Sequence, residues 1–208
     1  MTPEASIPAQ RRGRPRSEKA REAILAAAAE LLLERGLGSV SMDAVAEQAG
    51  VSKATIYRWW PTKESLALDA LYHEWAAARP AARETGSLRG DLLSLLRPWV
   101  RLVGKRPYGR VIAALVAEAQ SDPAFAKQYG ERFVEPRRDQ ARPILTRAIE
   151  SGELPPRTDV ELALDLLYGP LYHRLLHDHA PLTERFLRDV VDTVLAGLRA
   201  AIPIGRLS

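Results

Sequence analysis

The chain has 208 residues, 46% of them apolar, enough for one good core or for a core with a smaller domain appended. It has no cysteine, which excludes disulfides, thiolate metal ligands and a thiol nucleophile, and fits a reducing compartment. The net charge is only +4, but Arg11, Arg12, Arg14, Arg16, Lys19 and Arg21 crowd one window, a placement that suits nucleic acid, another anionic surface or simply a solubilising tail.

Residues 1–16 carry three prolines and most of this basic cluster without an apolar period, so they are expected to form a disordered arm. Order is expected from Ser17, a capping residue followed by Ile24, Leu25, Ala28, Leu31 and Leu32 at helical spacing, with Gly36 closing the helix. The apolar run from Ala23 to Leu33 is interrupted by Glu30 and flanked by charge, so it reads as neither a signal peptide nor a membrane span, and a cytoplasmic location is expected. Ser41 caps a short second helix with Met42, Val45, Ala46 and Ala49 on one face; Gly50 permits a sharp turn and Ser52 caps a third helix. Pro61 ends that helix, and Thr62 caps a fourth that runs through Ala67, Ala70, Leu71 and Trp75 to Pro80. No strand pattern is visible.

So short a turn between the second and third helices is the mark of a helix-turn-helix. At about 100° per residue, Ile56 and Trp60 share the inward side of the third helix while Ala54 and Arg58 point outward, flanked by Lys53 and Tyr57 on one side and Thr55 and Trp59 on the other. Such a surface suits a DNA major groove: its walls accept hydrogen bonds from hydroxyl, indole and ammonium donors, and its floor offers guanine acceptors to arginine and thymine methyls to alanine. Trp60 is then a core plug, Trp59 offers its ring N–H to a phosphate, and Lys63 does similar work just outside the groove. The bland alternative is a small helical bundle with a polar loop.

The stretch "SVSMDAVAEQAGVSKATIYRWWPTKESL" resembles the DNA-binding domain of the TetR family of bacterial transcriptional regulators, over about Ser17 to Leu71. The resemblance implies an all-α, dimeric protein: an N-terminal three-helix helix-turn-helix domain, then a larger helical domain that binds an effector and carries the dimer interface. Carried over by position, it implies phosphate contacts from Ser41, Thr55, Tyr57, Trp59 and Lys63, and base reading by Lys53, Ala54 and Arg58. Many relatives have histidine and phenylalanine where this chain has Trp59 and Trp60; the exchange keeps an N–H donor and an apolar plug. Upstream, "RRGRPR" resembles an AT-hook, in which Arg12, Arg14 and Arg16 would enter a narrow minor groove; a solvated tail steered by charge is the alternative.

The domain expectations are therefore a basic arm over 1–16, DNA binding over 17–80, and effector binding with dimerisation over 86–203. Helices are expected over Ser87 to Val103, Pro107 to Ala119, Pro123 to Glu150 with breaks at Pro136 and Pro143, Asp159 to His177 and Thr183 to Ala200. Leu164, Leu167, Leu171 and Leu175, with Val191, Val194, Leu195 and Leu198, form stripes wide enough to suggest a two-fold four-helix dimer interface, intramolecular core being the alternative. Trp99, Tyr108, Phe125, Tyr129, Phe133 and Tyr172 are candidates to line an effector pocket, each also able to serve as plain core.

An enzyme reading rests on His173 and His177, four residues apart as zinc ligands often are, with Asp178 and His179 nearby. Against it, no glutamate base lies between the histidines and Arg174 would repel a cation; no phosphate loop or serine elbow is present either. Neither catalysis, a metal nor a cofactor is expected. The partners expected are double-stranded operator DNA, a second copy of the chain and a small-molecule effector, with no membrane. The function expected is that of a repressor released by its effector, and the alternative is a DNA organiser of the same fold that answers to no ligand.

Overall fold

The computed structural model describes residues 14–78 and 84–200. Among these residues every regular element is helical: α1 (Arg14–Arg35), α2 (Met42–Ala49), α3 (Lys53–Tyr57), α4 (Lys63–Ala78), α5 (Leu88–Val103), α6 (Arg106–Ser121), α7 (Pro123–Tyr129), α8 (Glu135–Glu150), α9 (Val160–His177) and α10 (Glu184–Arg199). A 3₁₀ turn, Leu37–Ser39, follows α1, and a π-helical turn, Gly130–Val134, joins α7 to α8.

The first helix begins at Arg14, so Ser17 lies inside it and is not its cap. Pro15 explains the earlier start, since proline's fixed φ suits a first helical turn, where its missing N–H costs nothing. Residues 14–16 are thus helical rather than part of an extended arm, which corrects the arm reading for Arg14 and Arg16; Arg12 lies outside the described residues.

The helix-turn-helix is built from caps. The Ser41 hydroxyl accepts from the Ala44 N–H at 3.2 Å and the Ser52 hydroxyl from the Thr55 N–H at 3.3 Å. Between them Gly50 is left-handed, at φ 64°, and Val51 N–H donates back to the Ala46 carbonyl at 3.0 Å, which closes α2 and turns the chain sharply. Thr62 and Ser65 cap α4 reciprocally: Ser65 N–H donates to the Thr62 hydroxyl at 3.1 Å and Thr62 N–H to the Ser65 hydroxyl at 3.4 Å. Ile56 and Trp60 are buried against α1, α2 and α4, together with Ile24, Leu25, Val45, Leu68 and Leu71.

The fourth helix belongs to both halves of the molecule, packing on α1 and also against α6, α7 and the π turn. Tyr108 on α6 donates its hydroxyl to the Leu71 carbonyl of α4 at 2.7 Å. The break between α7 and α8 falls at Gly130–Val134, not at Pro136 or Pro143; Pro136 occupies the first turn of α8 and Pro143 its interior. Pro136 has no N–H to return to the Arg132 carbonyl, and the Glu135 N–H reaches one residue further back than usual, to Gly130, which widens the turn.

On α9 and α10, Leu164, Leu167, Leu171, Val191 and Leu195 are buried within this one chain, and Leu175, Val194 and Leu198 are half-buried against the same core. This corrects the expected interface stripe: α9 has two apolar faces, and those leucines occupy the inner one, packing α9 and α10 on each other and on α5 and α8. The outer face exposes Leu162 (48%), Leu166 (43%) and Leu176 (42%), with Gly169 and His173 between them.

Candidate nucleic-acid interface

Ala54 and Arg58 face solvent, and neither packs beneath the C-terminal helices. Tyr57 is half exposed, at 50%, Lys53 is exposed, and Thr55 and Trp59 are half-buried at the flanks. A concave surface beside α3 is lined by Ser41 and Asp43 from α2 and its cap, Lys53 and Tyr57 from α3, and Thr62 and Lys63 from the start of α4. Four of the residues expected at DNA thus line one recess although they come from separate elements. Asp43 and Thr62 belong to it too; neither was expected at DNA, Thr62 because it reads as a helix cap and Asp43 because only folding brings it alongside Lys53.

Electrostatics adds detail that spacing does not supply. Lys53 pairs with Asp43 at 2.7 Å, and the hydrogen bond to that carboxylate, against a smaller loss of solvation, raises the lysine pKa above its ordinary value. Lys63 reaches the Leu37 carbonyl at 3.5 Å and Glu64 at 3.9 Å, contacts long enough to be exchanged for a phosphate. The Arg58 guanidinium stacks over the Trp59 ring, 4.8 Å from its centroid, and Trp59 meets Trp60 edge-on at 5.6 Å. The flat guanidinium is therefore held by an aromatic face while its hydrogen-bond donors remain exposed.

Trp60 does more than plug the core. Its indole N–H donates to Asp69 on α4 at 2.8 Å, and the other oxygen of that carboxylate accepts from Arg132 on the π turn at 2.6 Å. The foot of the recognition helix is thus linked to the C-terminal helices through one carboxylate, a connection with no signal in the sequence because its members are 9 and 63 residues apart.

Of the aromatic side chains expected around an effector, Tyr108 is committed to the Leu71 carbonyl, and burial pushes its hydroxyl pKa upward. Phe125 is buried core. The other four come together: Trp99 and Tyr172 lie 5.3 Å apart, Tyr129 and Phe133 5.1 Å apart, and Arg137, absent from the sequence reading, sits among them. Elsewhere, His173 lies 4.6 Å from His177 and 5.0 Å from His179, ring to ring. Among the described residues no group of three or more histidine or carboxylate side chains is arranged to hold a metal ion. No described helix is long and apolar enough to cross a membrane.

A capped helix-turn-helix with a wet basic recognition face, joined to a larger helical bundle, defines a DNA-binding transcriptional regulator. Residues 24–70 match the family of bacterial regulatory proteins named for tetR, residues 82–194 match the tetracyclin repressor-like C-terminal domain, and the chain belongs to the TetR family. It is 40% identical to the HTH-type transcriptional regulator YdeS of Bacillus subtilis over 190 residues, which span 91% of this chain and 95% of that protein. It is 32% identical to the DNA-binding transcriptional repressor TetR of Mycobacteroides abscessus over 183 residues, 86% of this chain and 94% of the relative. Among solved structures, the TetR family transcription regulator SCO0332 matches with a TM-score of 0.75 at 37% identity, covering 86% of this chain and 98% of the other. Family and fold thus give a helix-turn-helix transcription regulator, a class that is typically not enzymatic.

Proposed function

We propose that the chain is a homodimeric repressor that binds operator DNA through α2 and α3 and is released by a small-molecule effector held among the C-terminal helices. The observation that carries this reading is the wet face of α3, with Ala54 and Arg58 at its centre and Ser41, Lys53, Tyr57 and Lys63 around one recess beside it. Arg58 and Ala54 read base edges, Lys53 joins them once Asp43 gives it up, and Ser41, Thr55, Tyr57, Trp59 and Lys63 hold phosphates. The DNA-binding part spans about 17–80 and the effector and dimer part 86–203, in the cytoplasm, where the DNA is.

The outer face of α9, with Leu162, Leu166 and Leu176 exposed around Gly169, is the surface on which a second copy packs. At Gly169 and at Gly197 on α10 an added Cβ would meet nothing within 4 Å, so the small residues leave room for close helix approach across a two-fold axis. Two recognition helices then enter successive major grooves about 34–36 Å apart. An effector lowers DNA affinity only if it favours the arrangement of the dimer that does not fit that spacing. The Trp60–Asp69–Arg132 link supports effector control, because a movement at the π turn pulls on the foot of α3.

Selection of binding sites from a random duplex library, followed by anisotropy titrations at several salt concentrations, tests the DNA reading. A two-fold symmetric site bound far more tightly than random duplex is expected. Equal binding to all duplexes would refute the repressor reading and leave the organiser in its place.

A further inference from the structure

Arg137 is buried in the C-terminal helices, at 7% exposure, and its side-chain hydrogen-bond partners among the described residues are the Phe133 carbonyl and the Tyr172 hydroxyl, with no carboxylate among them. Its guanidinium carbon lies 3.4 Å from the centroid of the Phe133 ring, 5.4 Å from that of Trp99 and 5.6 Å from that of Trp75. One terminal nitrogen donates to the Phe133 carbonyl at 3.0 Å and approaches the Tyr172 hydroxyl at 3.5 Å, while Nε is buried without a partner. Two neighbours share that condition: the Trp99 indole N–H, and the Tyr129 hydroxyl, which lies beside Tyr172 without a hydrogen bond of good geometry. A buried cation without a counter-ion is costly, and aromatic faces offset that cost only in part.

What these three atoms have in common decides the chemistry. Guanidinium and indole nitrogens only donate, and a phenol can donate, so the cluster holds an excess of buried donors among aromatic rings. A cationic guest would add to that excess, and a neutral carbonyl could accept from the donors but would leave the guanidinium charge uncompensated. A carboxylate answers it, with one oxygen on Arg137 and the other on Trp99 or Tyr129, while its apolar body lies against the rings. The adjacent π turn supplies the means of admission: its hydrogen-bond register is already irregular, and turns of this kind yield before regular helix does. Arg132 on the same turn holds Asp69, so yielding there reaches Trp60.

We infer that the effector site of this regulator is the aromatic cluster around Arg137, and that its ligand is a monocarboxylate with an apolar body. The inference rests on the effector-controlled repressor reading for its consequence at DNA, but binding is measured without DNA. The full chain is titrated with phenylacetate, naphthoate and decanoate and with the corresponding neutral amides, following tryptophan fluorescence and thermal unfolding. Acids of at least one body type, aromatic or aliphatic, are expected to bind roughly 10- to 100-fold more tightly than their amides, the worth of a charge-assisted hydrogen-bond pair. Arg137→Met, which keeps length and apolar contact, should erase that preference, with helicity checking that the variant is folded. Trp99→Phe and Tyr129→Phe, each removing one donor from a folded protein, should weaken acid binding roughly 2- to 10-fold whether or not the Arg137 variant folds. No response to any acid, equal binding of acids and amides, or an acid preference that survives all three substitutions overturns the inference. Operator binding without ligand is scored separately: its failure removes the repressor reading while the acid preference stands, and acid binding that leaves operator affinity unchanged keeps the site but removes its control of DNA.

Discussion

At the scale of single residues, the proposed complex divides the recognition face into groups that read and groups that hold. Arg58 is pre-stacked on Trp59, so its donors are presented without further ordering. Arg58→Ala is expected to cost about 1–3 kcal/mol against the preferred base and to flatten the ranking of operator variants. Lys63→Ala should weaken all sequences alike and reduce the slope of log affinity against log salt by about one unit, because one phosphate contact is lost. Both are measured by anisotropy over a salt series. Asp43 acts in the opposite sense: it pairs with Lys53 in the free protein, and in the proposed complex its negative charge would stand near the DNA backbone. Asp43→Ala should therefore raise affinity for random duplex and steepen the same salt slope.

Elements transmit what residues bind. Recognition helix α3 spans only Lys53–Tyr57, too short to be stable alone, so its orientation depends on Ile56 and on the Trp60 hydrogen bond beyond its end. Ile56→Ala should destabilise the fold by about 2–5 kcal/mol, read as a lowered denaturation midpoint. Arg132→Ala should leave the global midpoint nearly unchanged but speed hydrogen exchange in α4, since it removes one of the two partners of Asp69.

A pH effect belongs to this scale as well. Burial alone would raise the Asp91 pKa, but hydrogen bonds from the Thr85 N–H and hydroxyl and from Arg147 outweigh it and hold the carboxyl below its ordinary value of 3.8. At the surface, Arg142 and then Arg138 hold Glu161 down at about 2, although some desolvation opposes them. Both groups have pKa values lower folded than unfolded, so their contribution is complete above the ordinary carboxylate range and is lost as pH falls through the folded values. Asp91→Asn should accordingly lower the melting temperature at neutral pH and flatten its fall below about pH 4.

For the whole molecule, the proposed dimer has a direct test. Leu166→Glu places a charge in the outer face of α9 without touching the inner, buried face, so the monomer should keep its fold while association is lost. Light scattering should give twice the chain mass for the parent and one chain mass for the variant. Operator affinity should fall by orders of magnitude, because one recognition helix supplies too few contacts for a selective site.

Much of the DNA-binding half was legible before folding because its signals are local. Ser41, Ser52 and Thr62 act within three residues of themselves, Gly50 meets a backbone demand at its own position, and the 3.6-residue period places Ile56 and Trp60 inside and Arg58 outside. The C-terminal half was legible as helices but not as surfaces. Periodicity could find the leucine stripe of α9, yet it could not say which of two apolar faces the chain would bury for itself, because that depends on where α5, α8 and α10 come to lie. The break before α8 likewise fell at Gly130–Val134, upstream of Pro136 and not at it, once Glu135 had reached back to Gly130.

What the sequence determined by itself was the helices, the turn between α2 and α3 and the side of α3 left in solvent, all fixed by backbone sterics, capping and helical period over a few residues. Only the tertiary structure decided that Asp43 would restrain Lys53, that Asp69 would join Trp60 to Arg132, and that Arg137 would be enclosed by aromatic rings. Those partners are distant along the chain, and their interactions fall off so steeply with separation in space that none exists until the helices have packed.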